Sequence, residues 1–173
     1  SVDVLISILK FFNKKGDSTH TRDLLHSAIQ LIGDEAWRVR YMAADRFEEL
    51  SSQFTANPAF IEELIQPFLS LCEDNESDVR KAVAKQLPGF SKLLLDSQVV
   101  LKKILPAVQN LSMDESEAVR ASLASEVTNL APLLSKQEAI DNLIPILLNM
   151  LKDEFPDVRL NVIAKLKVVN EVV

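Results

Sequence analysis

Four stretches of this chain are versions of one another. DEAWRVRYMAADRFEEL starts at residue 34, DNESDVRKAVAKQLPGF at 74, DESEAVRASLASEVTNL at 114 and DEFPDVRLNVIAKLKVV at 153. Superimposing them brings Arg40, Arg80, Arg120 and Arg159 into one column, so the period is 40, 40 and 39 residues. A fixed period of this length is the signature of stacked supersecondary units, each too small to bury both its faces alone. It restricts the fold more than any composition figure does, because a stack of equal units exposes the same edge again and again.

The content of one unit follows from its apolar spacing. Apolar residues return three, four, seven and ten places after the arginine: Ala43, Ala44, Phe47 and Leu50 in the first unit, Leu123, Ala124, Val127 and Leu130 in the third. That is one face of a helix. Upstream of each arginine lies another apolar segment, LLHSAIQLI, LIQPFLSLC, ILPAVQNLS or LIPILLNML. Each unit therefore reads as helix A, a short acidic turn, then helix B starting at the Val before the arginine. With only three glycines in 173 residues and abundant Leu, Ala, Glu and Lys, helix is favoured throughout. The expected architecture is an all-α solenoid of antiparallel helix pairs, about four and a half repeats: a half repeat over 1–15, then repeats over 20–56, 58–96, 98–135 and 137–173.

Punctuation refines the reading. Ser97 is placed to cap the third helix A, Asp114 to Ser116 to cap its helix B, and Pro132 to close that unit. Pro67, Pro106 and Pro145 fall inside A helices, where a missing donor predicts a kink. Pro88-Gly89 has no counterpart in the other B helices and predicts a bend peculiar to the second unit. The opening SVDVLISILKFF reads as a B helix without its A partner, followed by a polar turn over NKKGDSTHT, and the chain closes inside a B helix at NEVV. A segment of a longer protein is expected, with apolar end faces able to associate.

Charge and chemistry narrow the function. A net charge of −6 supplies no basic field for nucleic acid or anionic lipid. One cysteine excludes a disulfide framework, and Cys72 shares a column with Ile32 and Leu151, so it reads as a buried small residue. His20 and His26 lack ligand-spaced partners, so no metal or other cofactor is expected. Glycine-rich phosphate loops, His-Glu-x-x-His, paired cysteines and a serine elbow are all missing from the sequence, so an enzyme is not expected. The expected location is the cytoplasm, with the nucleus admitted as well.

Repetition also separates framework from site. Asp34, Asp74, Asp114 and Asp153 recur with Arg40, Arg80, Arg120 and Arg159, and a residue present in every unit does a job every unit needs. An Asp–Arg ladder joining successive turns is that job. Singular residues are the better binding candidates. Where Trp37 and Arg38 stand, the other units carry Ser77 and Asp78, Glu117 and Ala118, Pro156 and Asp157, so an exposed aromatic and cation are predicted at the edge of the turns. Phe155 departs in the same way from Ala36, Glu76 and Ser116. Tyr41 and the turn carboxylates Glu35, Glu76 and Glu115 complete the expected protein-binding set, the acidic ones favoured at helix N-termini in any case.

The A–turn–B unit, with Asp in the turn, Val-Arg heading helix B and Pro in helix A, resembles the HEAT repeat. More narrowly, WRVRYM-AD-F and DVRLN-I--L--VNEV resemble repeats of the scaffold (A) subunit family of protein phosphatase 2A, over about residues 22 to 173 and in the order of a mid-chain block. The resemblance implies a non-catalytic scaffold whose ridge of A–B turns holds a regulatory (B-type) subunit, the catalytic subunit being held mainly by repeats beyond this segment. The alternative is another HEAT adaptor, such as a nuclear transport receptor.

Overall fold

The computed structural model describes residues 1–16 and 19–170, and side chains through 167. Residues 17 and 18 of the expected polar turn, and 171–173 of the last repeat, lie outside the described residues. Among those described, no strand occurs. Helix α1 (Val2–Lys15) precedes four helix pairs. The first is α2 (Thr21–Ile32) with α3 (Trp37–Asp45) and α4 (Phe47–Ser52). The second is α5 (Pro58–Glu63) and α6 (Ile65–Cys72) with α7 (Ser77–Leu93). The third is α8 (Ser97–Val99) and α9 (Leu105–Ser112) with α10 (Glu117–Glu126). The fourth is α11 (Lys136–Glu138) and α12 (Ile144–Met150) with α13 (Pro156–Asn170).

Two layers result. In one, α3 and α4 pack on α7, α7 on α10 and α10 on α13; in the other, α2 packs on α6, α6 on α9 and α9 on α12. The chain is an all-α HEAT-type solenoid, each pair burying its apolar stripe against the next. Ala44, Ala84 and Ala124, which share one column in the first three units, are fully buried, and their small side chains let neighbouring B helices approach closely.

The prolines of the A helices act as the missing donor requires, in two ways. In the second unit the helix stops at Leu64 and restarts at Ile65, two residues before Pro67. In the third and fourth it widens into a π turn, over Val100–Ile104 and Ala139–Leu143, just before Pro106 and Pro145. Leu105 and Ile144 then donate five residues back, to the carbonyls of Val100 and Ala139. A π turn displaces the carbonyl the proline ring would strike, so the helix is widened rather than ended.

Several expectations need correcting. Helix B begins three residues before the arginine, at Trp37, Ser77, Glu117 and Pro156, rather than at the valine. The Asp34, Asp74, Asp114 and Asp153 carboxylates each accept the amide two residues on, and that turn starts the helix early. Pro88-Gly89 lies inside the unbroken helix α7, whereas its neighbours are interrupted, at Arg46 in the first unit and by a 3₁₀ segment, Val127–Leu133, in the third. The breaks thus fall in the first and third units, and the second stays continuous despite Pro88. Asp96, not Ser97, caps the third helix A, accepting the Gln98 amide at 2.8 Å. Pro132 falls within the 3₁₀ segment rather than ending the unit. Exposed apolar side chains do stand at both ends of the stack, Val4, Ile8 and Phe11 on α1 and Leu148, Leu160 and Ile163 on α12 and α13.

Candidate functional site: the ridge of turns

The A–B turns form one edge of the solenoid, and the arginines space them. Arg40 donates from Nε to Asp74 Oδ2 at 2.6 Å and from Nη2 to Asp74 Oδ1 at 2.9 Å. Arg80 grips Asp114 at 2.6 and 2.9 Å, and Arg120 grips Asp153 at 2.7 and 3.1 Å. A guanidinium fork on a carboxylate is the strongest charge-assisted pairing available to side chains. The remaining nitrogen of each arginine, Nη1, turns back onto its own unit, donating to the carbonyls of Asp34, Asp74 and Asp114 at 2.9, 2.7 and 2.7 Å. Each arginine thus clips its own turn and bolts it to the next.

Burial makes these rungs consequential. Arg80 and Arg120 are only 8% and 9% exposed. Burial pushes the Asp74 and Asp114 carboxyls upward, but the arginine fork and the backbone amide more than offset that, so both end below the ordinary carboxylate range. Asp153 is lowered chiefly by Arg120. The arginines are raised in turn, each mainly by its aspartate partner. At the ends of the ladder, Asp34 accepts the Ala36 amide, and Arg159 donates to the Asp153 and Glu154 carbonyls.

The singular residues sit on this frame in different ways. Trp37 is half-buried against the apolar core, and the exposed Arg38 guanidinium stacks over the indole at 4.8 Å. The ring is therefore less open than its column suggested, with the cation as its outer face. Tyr41 is also half-buried against the core. Phe155 packs under the Arg120 guanidinium, 5.4 Å away, and so supports the last rung. Glu35, Glu76 and Glu115 point to solvent. Glu115, with its side chain 91% exposed, lies 3.7 Å from Arg80. Because the ladder hides its own cations, the second and third turns present mostly carboxylates. Met113, 59% exposed on the third turn, belongs to this surface and was missed. Its column reads Gly33, Glu73, Met113 and Lys152, so the departure was visible in the sequence.

No chemistry gathers on the ridge. Among the described residues no three of His, Cys, Asp and Glu are grouped to hold a metal. Burial pushes the Cys72 thiol far up, which leaves it an inert core residue.

With this geometry in place, two family models match the chain: PPP2R1A-like HEAT repeat over residues 59–135 and HEAT repeat over residues 143–173. The chain belongs to the HEAT-repeat family, with repeats of the protein phosphatase 2A A-subunit kind. It is 73% identical over 67 residues to the A-type regulatory subunit of protein phosphatase PP2A from Saccharomyces cerevisiae, a match covering 39% of this chain and 11% of that protein. It is 38% identical over 131 residues to the beta isoform of the human 65 kDa A-type regulatory subunit of serine/threonine-protein phosphatase 2A, covering 73% of this chain and 22% of that one. Human serine/threonine-protein phosphatase 4 regulatory subunit 4 is 21% identical over 154 residues, 89% of this chain and 17% of its own length. The matched repeats thus span less than a quarter of each of these relatives.

Proposed function

We propose that the chain is a non-catalytic scaffold segment that positions protein phosphatase subunits along its ridge of turns, in the cytoplasm and nucleus. A B-type regulatory subunit docks on these repeats, and the catalytic subunit is held mainly by repeats outside residues 1–173. The observation that carries this reading is the ladder: forks with 2.6–2.7 Å contacts hold successive turns at a fixed spacing while their outer side chains stay in solvent. A rim that is rigid in spacing and bare in side chains suits docking, since pre-organised contacts lose least on binding. The relatives, regulatory subunits by name, support the same partner class.

Arg38→Glu is the cleanest test, because Arg38 is exposed and outside the ladder. Affinity for a purified B-type regulatory subunit, measured by interferometry, should fall about tenfold or more, a change of about 1.4 kcal/mol. The melting temperature should barely move, as for an ordinary surface substitution. Unchanged affinity would remove the first turn from the interface. Turnover of a phosphoester panel by the purified chain would remove the non-catalytic reading.

A further inference from the structure

We propose a second docking point on the opposite edge of the solenoid, centred on Leu95, that takes an aliphatic side chain flanked by a lysine or arginine from a partner polypeptide. It lies where helix B of the second unit hands over to helix A of the third, at the far end of the helices from the ladder, so it stands or falls independently of the ridge.

The register singles this position out. The residues that close successive B helices are Phe54-Thr55, Leu94-Leu95 and Leu134-Ser135, forty places apart. The first of each pair is buried in all three, as core packing requires. The second is polar in two of them and has local work there: Thr55 Oγ1 donates to the Ser52 carbonyl, and Ser135 forms a capping box with Glu138. Leu95 replaces that polar residue and makes no such bond, the cap having passed to Asp96. It is 87% exposed, more than any other large apolar residue among those described. One exposed leucine needs no explanation by itself. Here it borders a groove of about 80 Å³ lined by Pro58, Ile61, Ile65, Leu94 and Val99.

The rim and the area identify the occupant. Glu62 and Asp96 flank the groove, both exposed, and neither carboxylate meets a cation among the described residues. A basic neighbour to the inserted side chain is therefore favoured and an acidic one disfavoured. A second copy of this chain does not suit the patch: a stable interface buries roughly 800 Å² per partner, and one leucine beside a groove of single-side-chain size falls well short. A short anchor on a larger partner fits both the size and the charge.

Methyl-labelled protein should be titrated with Ac-Leu-Lys-NH₂, Ac-Leu-Glu-NH₂ and Ac-Ala-Lys-NH₂ at low salt. The leucine–lysine probe should give saturable shifts confined to the Ile61, Ile65, Leu95 and Val99 methyls, with a dissociation constant in the millimolar range. Leu95→Thr, which installs the residue of the first unit, should weaken that binding about tenfold with an unchanged melting temperature. Glu62→Gln should reduce the preference for lysine over glutamate, Asp96 remaining on the rim, while Arg38→Glu on the ridge should leave the titration untouched. No saturable shift, equal response to all three probes, or binding undiminished by Leu95→Thr would overturn the proposal. Concentration-dependent dimerisation lost in Leu95→Thr would overturn it in favour of self-association.

Discussion

At the ridge, three successive junctions are closed by the same part: an arginine fork, an aspartate, and an amide on the carboxylate. Away from the ridge no two junctions are closed alike. Between α1 and the first unit, Asp3, Lys10, Arg46 and Glu49 form an ionic chain, and Asn13 donates to the Gln53 carbonyl at 2.8 Å. Between the first and second units Arg22 grips Glu63; between the third and fourth, Gln98 donates to Glu138 at 2.9 Å. The layers between the edges differ too. Phe47, Phe68 and Phe90 pack ring to ring with centroids 4.6–5.0 Å apart at the first junction. Hydrogen bonds also tie the B helices, the Glu48 amide to Gln86 Oε1 at that junction, and Ser122 to the Lys81 carbonyl and Asn161 to that of Ala121 at the later ones. What separates the edges is water. A buried ion pair is tolerable only with near-ideal geometry, so the part is reproduced each time. An exposed contact contributes little in any form, so its form is free to vary.

That contrast is most exposed to failure at the centre of the ladder. Asp114→Ala leaves the Arg80 guanidinium, 8% exposed, without its buried counter-charge and with only the solvent-exposed Glu115 carboxylate, 3.7 Å away. The expected loss is about 3–5 kcal/mol in urea unfolding. A loss below about 1 kcal/mol would place the rungs in the same class as the exposed pairs. The pH dependence gives a second reading of the same rungs. Asp74, Asp114 and Asp153 are depressed below the ordinary aspartate value of 3.8, so their contribution is complete above that pH and is lost as pH falls through the folded-state values. Unfolding midpoints should be level from pH 7 to about 5 and fall steeply below about 4, and Asp114→Asn should flatten that fall. An unchanged slope in the variant would mean that other carboxylates carry the acid transition.

The same contrast explains what could be read in advance. The ladder was legible because a buried charge recurs at a fixed period, and the helix pairs because their apolar faces do. The start of helix B was misjudged because the aspartate's hold on the amide two residues on shows in no hydrophobic pattern. The break at Arg46 was not foreseen because neither proline nor glycine marks it, while Pro88-Gly89 leaves α7 continuous. Trp37 was placed on the right edge but drawn too far out, since a column of polar neighbours says nothing of the apolar floor beneath an indole. The Lys10–Glu49–Arg46–Asp3 chain could not be found at all: its members recur in no other unit, and only the fold brings residues 39 to 43 places apart into contact.

Smaller effects sharpen the exposed side of the comparison. Glu63→Ala removes the partner of Arg22, but both side chains are largely in water, at 40% and 65% exposure, and Arg22 keeps its place over the Phe60 ring at 4.9 Å. Stability should drop by no more than about 1 kcal/mol, and less in high salt. A drop comparable to that of Asp114→Ala would mean that the variable edge is as tightly built as the ridge.

The smallest expected effect carries the opposite sign. A Cβ placed on Gly89 would come within 1.9 Å of Glu48 Oε2, which looks like a close approach that forbids any side chain. Yet the three nearest atoms it would meet all belong to the Glu48 carboxylate, the free end of an exposed side chain. Turning that carboxylate into solvent removes the clash without moving backbone. Glycine inside a helix is less stable than alanine by roughly 0.5–1 kcal/mol, since the unfolded chain gives up more freedom. Gly89→Ala should therefore leave stability level or raise it by up to about 1 kcal/mol, read as a small upward shift in melting temperature. A clear loss instead would show that Glu48 is held against α7 by more than its accessible surface suggests. The tight spacing of B helices would then depend on contacts beyond the ladder.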